Sequence, residues 1–153
     1  MKKILDWNEL KKVVDMVKAS GKKIVFTNGC FDIIHIGHVR YLKEAKALGD
    51  MLVIGLNSDR SVSLIKPDRP INPQDYRAEV LSSLDMVDYV TLFDEETPYE
   101  LIKFLQPDRL VKGGDWKKEE IVGSDIAQET YSLPYIEGVS TSEIIERIKR
   151  LNL

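Results

Sequence analysis

Cysteine and histidine are scarce in this 153-residue chain: it has one of the first and two of the second. A lone thiol, Cys30, excludes an internal disulfide, and one thiol with two imidazoles argues against a Cys/His structural zinc site. Long apolar runs are missing as well. The longest, residues 51–56, falls far short of the ~20 residues a membrane span needs. The opening residues Met1-Lys2-Lys3-Ile4-Leu5-Asp6-Trp7 turn polar at once, so no secretory signal is expected and the expected location is cytoplasmic. Positive charge is not in excess: 22 Lys and Arg face 25 Asp and Glu, a net charge of −3. That balance argues against a nucleic-acid-binding surface but not against a local anion site. There is no repeat and no low-complexity tract. What remains is 43% hydrophobic and 31% charged, the composition of a folded domain able to bury about 70% of its unfolded surface. One domain over residues 1–153 is expected, a helical segment (1–21) leading an α/β core (22–153).

Short apolar runs alternate with helical patterns along the chain. Asp6 can cap a helix carrying Leu10, Val13, Val14 and Val17, stopped near Gly21. Strands are expected at residues 23–27, 51–56, 89–93, 109–112 and 132–136. The first stops at the turn signal Asn28-Gly29. Helices are expected at residues 38–48, 59–65, 74–84, after the cap Thr97-Pro98, at 124–130 (weakly) and at 140–151 with the stripe Ile144, Ile145, Ile148 and Leu151. Five strands separated by helices predict a Rossmann-like five-stranded parallel sheet with helices on both faces. Ligands of such sheets bind beyond the carboxyl ends of the strands. Three unusual segments fall there: residues 28–38, 112–115 and 138–142.

In the first, both histidines flank a glycine where strand passes into helix. Gly37 lets a ligand approach the backbone, a helix start attracts anions, and His35 and His38 can both donate to phosphate oxygens. A packed histidine in a turn would explain one such residue more simply; it explains two around a glycine poorly. A metal reading of His-x-x-His lacks a third ligand. Lys46, eight residues beyond His38, can lean back toward the same anion, although a solvated lysine is the plainer account. In the third segment Ser140, Thr141 and Ser142 open a helix, and Ser140 with Glu143 fits a capping box. A cap is sufficient explanation; a phosphate cradle is the functional one. Lys112-Gly113-Gly114-Asp115 is either a strand-end turn or a place of close ligand approach. Cys30 reads as a small buried thiol rather than a nucleophile.

His35-Ile36-Gly37-His38 resembles the HxGH motif of the nucleotidyltransferase superfamily, and Ser140-Thr141-Ser142 before Ile144-Ile145 resembles its C-terminal signature. With residues 25–32, Gly55-Leu56-Asn57-Ser58-Asp59, Arg69-Pro70-Ile71-Asn72-Pro73 and Val111-Lys112-Gly113-Gly114-Asp115, the pattern from about Lys22 to Arg150 is similar to the heptose 1-phosphate adenylyltransferase family. Two departures stand out. The loop Lys66-Pro67-Asp68-Arg69-Pro70 lacks that family's glycines, and Tyr135 stands where the related glycerol-phosphate cytidylyltransferases carry arginine. Gly113-Gly114-Asp115-Trp116 nonetheless resembles a cytidylyltransferase motif.

The resemblance implies transfer of AMP from ATP to D-glycero-β-D-manno-heptose 1-phosphate, giving ADP-heptose and pyrophosphate for lipopolysaccharide core synthesis. It implies His35, His38 and Lys46 as catalytic. Thr27, Asn28, Gly29, Phe31, Gly37, Arg77, Lys112, Gly113, Gly114, Asp115, Ser140, Thr141 and Ser142 would bind nucleotide or phosphate. Mg²⁺ would ride on the ATP phosphates with no ligand from the protein. A separate sugar kinase and a homo-oligomer are expected, and no nucleic-acid or membrane partner; Leu10, Val13, Val14 and Val17 could cover the sheet or meet a second subunit. Three alternatives stay open: a cytidylyltransferase acting on glycerol or another polyol phosphate, a pantetheine-phosphate type adenylyltransferase, and a non-catalytic nucleotide-binding module.

Overall fold

The computed structural model describes residues 2–152. Five strands, β1 (Ile24–Gly29), β2 (Met51–Asn57), β3 (Tyr89–Phe93), β4 (Arg109–Gly113) and β5 (Glu129–Leu133), form one sheet in the order β3-β2-β1-β4-β5. Every strand pairing is parallel. The helices are α1 (Trp7–Ala19), α2 (Ile36–Lys46), α3 (Asp59–Ile65), α4 (Gln74–Ser82), α5 (Tyr99–Leu105) and α6 (Thr141–Lys149). The expected α/β architecture is the one found.

Two buried clusters show why helices cover both faces. Strand side chains alternate between the faces of a sheet. Leu52, Ile54 and Leu56 of β2 and Val25 of β1 point to one side and pack with Leu42 and Ala45 of α2 and Ala78 and Leu81 of α4. Ile24, Phe26, Met51 and Val53 point to the other and meet Leu10 and Val14 of α1 and Leu101, Ile102 and Leu105 of α5. The first helix therefore spends Leu10 and Val14 on the sheet, and both are fully buried. Its start is held as expected: Asp6 accepts the Glu9 amide at 2.8 Å and Glu9 accepts the Asp6 amide at 3.2 Å. Gly55 is required in β2, because a Cβ there would stand 2.6 Å from the Phe26 ring.

Several boundaries move. β1 does not stop at Thr27; Asn28 and Gly29 stay in register with Gly55 and Leu56 of β2, and ladder pairing outweighs the local turn signal. The turn comes two residues later, where Phe31 adopts a left-handed backbone (φ 46°). α2 starts at Ile36, two residues before the expected start, because His35 is its cap. α5 starts one residue past the expected Pro98. The weak helix at 124–130 is absent. A 3-10 turn (Lys118–Glu120) and further turns precede β5, which lies at Glu129–Leu133 rather than at 132–136 because its register is set by pairing with β4, Arg109 opposite Glu129. The capping box expected at Ser140 is half present: Ser140 Oγ accepts the Glu143 amide at 3.1 Å, with no bond returned from Glu143.

Candidate active site

The carboxyl ends of the strands open into a cleft of about 750 Å³. Its centre is the corner between β1 and α2. His35 Nδ1 accepts the Gly37 amide at 3.1 Å, and His38 Nδ1 accepts the His35 amide at 3.2 Å. The motif thus caps its own helix, the imidazoles doing what Ser and Glu do in an ordinary capping box. The two rings stack with centroids 3.9 Å apart, and Phe31 flanks His38 at 5.2 Å. A Cβ on Gly37 would lie 2.9 Å from the His35 ring, so this glycine is what lets the stack form.

Both imidazoles are held neutral. Burial first, then the proximity of His35 and Lys66, push His38 down to about 4, and partial burial lowers His35. A neutral imidazole has one donor and one acceptor nitrogen. Since each Nδ1 accepts a backbone amide, each proton sits on Nε2, and both residues line the cleft. The corner therefore offers two fixed N–H donors to an anion.

Around this centre the structure gathers Asn28, Gly29, Phe31 and Gly37 with Lys112 and Gly113 at the end of β4 and Ser140, Thr141 and Ser142 at the start of α6. Thr141 Oγ1 donates to the Ile33 carbonyl at 3.0 Å, which ties the start of α6 to the loop before α2. Burial lowers the Lys112 pKa, and its ammonium lies 5.2 Å from the Trp116 ring centre.

Five expected residues lie elsewhere. Lys46 sits at the opposite end of α2: its Nζ donates to the Asp88 carboxylate at 2.5 Å and the Asp50 carbonyl at 2.9 Å, beside the amino ends of the strands. Eight residues of helix carry it away from the cleft, farther than its side chain can lean back. Arg77 is 1% exposed, and its guanidinium donates to the carbonyls of Asn72, Cys30 and Asn57 and to the Asp59 carboxylate. Four of its five N–H groups are committed to these partners, which brace the floor of the site. Thr27 is buried below the cleft, its hydroxyl 2.6 Å from that of Tyr41, which does reach the wall. Gly114 turns away under Trp116 and Tyr135, and Asp115 is exposed outside the cleft.

Two cations that the sequence reading did not single out come from the proline-rich loop after α3. Lys66 and Arg69 line the cleft. Asp32 holds this loop in place: its carboxylate accepts the amides of Ile71 and Asn72 at 2.8 Å and lies 3.6 Å from the Arg69 guanidinium. Asn57, Glu96 and Tyr135 also reach the wall. Among the described residues no three His, Cys, Asp or Glu side chains cluster as metal ligands, and no helix is long and apolar enough to cross a membrane.

Comparison with known proteins agrees with this fold. The cytidylyltransferase-like family model matches residues 26–147. The bifunctional protein HldE of Nitratiruptor sp. is 56% identical over 147 residues, 95% of this chain and 32% of that protein. The bifunctional protein HldE of Wolinella succinogenes is 54% identical over 148 residues, 96% and 31% respectively. The chain thus spans about a third of the length of the curated relatives it matches. Among solved structures, a lipopolysaccharide core biosynthesis protein from Thermoplasma volcanium superposes with a TM-score of 0.66 at 30% identity, covering 76% of this chain and all of that one.

Proposed function

This chain belongs to the cytidylyltransferase-like family, and from that premise we propose that it is an adenylyltransferase, moving AMP from ATP to a sugar 1-phosphate, D-glycero-β-D-manno-heptose 1-phosphate. The observation that carries the chemistry is the pair of Nε2–H donors fixed by backbone amides on both Nδ1 atoms. The names of the relatives support the sugar and the pathway: bifunctional HldE proteins and a lipopolysaccharide core biosynthesis protein.

The reaction is an in-line displacement. A phosphate oxygen of the sugar attacks the α-phosphorus of ATP, and pyrophosphate leaves with the electrons of the broken P–O bond. The nucleophile is already an anion, so no general base is needed. The barrier lies in bringing two anions together and in charge on the transferring phosphoryl group, so positioning and fixed donors supply the rate. His35 and His38 donate to phosphate oxygens and pay no reorganisation cost, because their tautomers are set before substrate arrives. Lys66, Arg69 and Lys112 provide the positive charge. Ser140, Thr141 and Ser142, with the free amides of the α6 start, hold the leaving phosphates. The donor set of imidazoles, hydroxyls and ammonium groups fits a triphosphate bearing Mg²⁺ on its own oxygens, which would add charge neutralisation when bound.

Cytidylyl transfer to a polyol phosphate is the second reading, favoured by the family match itself. Pyrophosphate release measured with ATP or CTP against heptose 1-phosphate (both anomers) and glycerol 3-phosphate tests both. Release with ATP and the β-anomer is expected. Release with CTP and glycerol 3-phosphate alone overturns the adenylyl reading, and tight ATP binding with no release across the panel leaves a binding module.

A further inference from the structure

Among the described residues, one buried side-chain atom of a cleft-lining residue has no hydrogen-bond partner. Asn57, the last residue of β2, is 2% exposed and lines the cleft, and its Oδ1 makes no hydrogen bond. The direction of its amide is forced. Ser61 Oγ donates its only proton to the Glu95 carbonyl at 2.5 Å, so toward Asn57 it can only accept, which it does from Nδ2 at 2.9 Å. Turning the amide over would set two oxygens face to face with no proton between them. The nearest strong donor is spent too: both Nη1 protons of Arg77 go to the backbone carbonyls of Cys30 and Asn57.

Buried acceptors are nearly always satisfied, and one left open on the wall of a binding cleft marks a missing donor. Its position says which donor. In the sheet order β3-β2-β1-β4-β5 the histidines follow β1, while Lys112, Gly113 and the serine-rich start of α6 follow β4 and β5. Asn57 ends β2, on the other flank. Beside it in the chain path, Glu96 follows the residue that anchors Ser61, lines the same cleft and makes no ion pair among the described residues. A neutral acceptor and an unpaired carboxylate repel phosphate and accept hydroxyl protons.

We propose that Asn57 Oδ1 accepts a hydroxyl of the polyol part of the acceptor phosphate and is a specificity-determining residue. The inference rests on the proposed transferase function and assigns that substrate to the β2 flank of the cleft. Oδ1 is buried and makes no hydrogen bond within the protein. The hydroxyl therefore enters as the wall adjusts around it, and supplies a bond that no protein group makes. An acceptor lacking the hydroxyl leaves the atom unpaired, which is how such sites discriminate.

The test is steady-state kinetics of wild type, Asn57→Leu and Ser61→Ala with ATP or CTP against heptose 1-phosphate, mannose 1-phosphate and glycerol 3-phosphate, with thermal melts alongside. Asn57→Leu is expected to raise KM for the accepted sugar phosphate by about 10-fold, the worth of one such bond, and to leave KM for the nucleotide unchanged. Ser61→Ala, which frees the amide to turn, is expected to give a smaller rise of the same kind and carries the test if Asn57→Leu does not fold. Equal rises in both KM values, or no rise in folded variants, overturn the role. If wild type uses only glycerol 3-phosphate, the heptose reading falls while Asn57 is judged by that acceptor's KM. A wild type inactive on the whole panel overturns both.

Discussion

His38 Nδ1 accepts the backbone N–H of His35 at 3.2 Å, so the second histidine of the motif closes the helix start that positions the first. The proposed phosphate donor and the helix cap are joined in one ring, and substitution can separate them. His38→Ala removes both the Nε2 donor and the cap. It should lower kcat by 10²-fold or more and cost about 1 kcal/mol of stability. Gln at the same helix position can return the capping bond. His38→Gln should therefore regain most of the stability in urea denaturation while pyrophosphate release stays low. Full activity in either variant would sink the catalytic role.

The pH behaviour follows from the same ring. His38 is held at about 4 against 6.5 for a free imidazole, by burial first and the neighbouring His35 and Lys66 second. Above pH 6.5 it is neutral folded or unfolded and contributes no slope. Between pH 6.5 and about 4 the unfolded chain takes a proton that the folded protein refuses, so stability falls as pH falls and levels off below that window. His35, also lowered, acts in the same direction. Urea midpoints at pH 7.5, 6 and 5 should decline, and His38→Gln should flatten part of that decline. kcat/KM should show no inflection near 6.5 from His38.

Two lysines differ in their place: Lys66 lines the cleft, whereas Lys46 pairs with Asp88 at the far end of α2. Lys66→Ala should lower kcat/KM by about 10²-fold if, as proposed, its charge serves the transferring phosphate in the cleft it lines. Lys46→Ala should leave turnover within about 2-fold and cost no more than ~1 kcal/mol, the worth of its partly exposed pair with Asp88. The reverse ranking in a pyrophosphate-release assay would restore Lys46 to the site.

Arg77 should behave as a brace. Arg77→Met leaves three carbonyls without their donor in the floor of the cleft. A loss of about 3–5 kcal/mol in urea unfolding is expected. A stable variant with only a raised KM for ATP would make Arg77 a phosphate ligand instead.

Ser140 caps α6 through the Glu143 amide. Ser140→Ala should cost about 1 kcal/mol and raise KM for ATP, and Thr141→Val, which loses the bond to the Ile33 carbonyl, should raise it further. Unchanged KM for ATP in both, measured with the sugar phosphate saturating, removes this helix start from nucleotide binding.

Most of the architecture was legible in the residues. The apolar runs and amphipathic stripes anticipate five strands in a parallel sheet and the helices on its two faces, and β3 falls where expected. Errors concentrate where pairing decides. Asn28-Gly29 is a turn by local chemistry and a strand by its ladder to β2, and β5 lies three residues early because β4 sets its register. The histidine corner was legible because all its bonds run within four residues. The place of Lys46 was not legible because its partner Asp88 is 42 residues away, nor that of Arg77, because its carbonyl partner at Cys30 is 47 residues away. No spacing rule sees such contacts.

By itself, the sequence determined the sheet, the helices that cover it and the paired imidazoles around a glycine. These depend on periodicity and on neighbours within one turn of chain, where residue type dictates the bond. Only the tertiary structure decided which cations face the cleft, which arginine is buried as a brace, and that Asn57 keeps an acceptor without a donor. Those outcomes depend on groups distant in the chain competing for the same few partners, and folding settles that competition all at once.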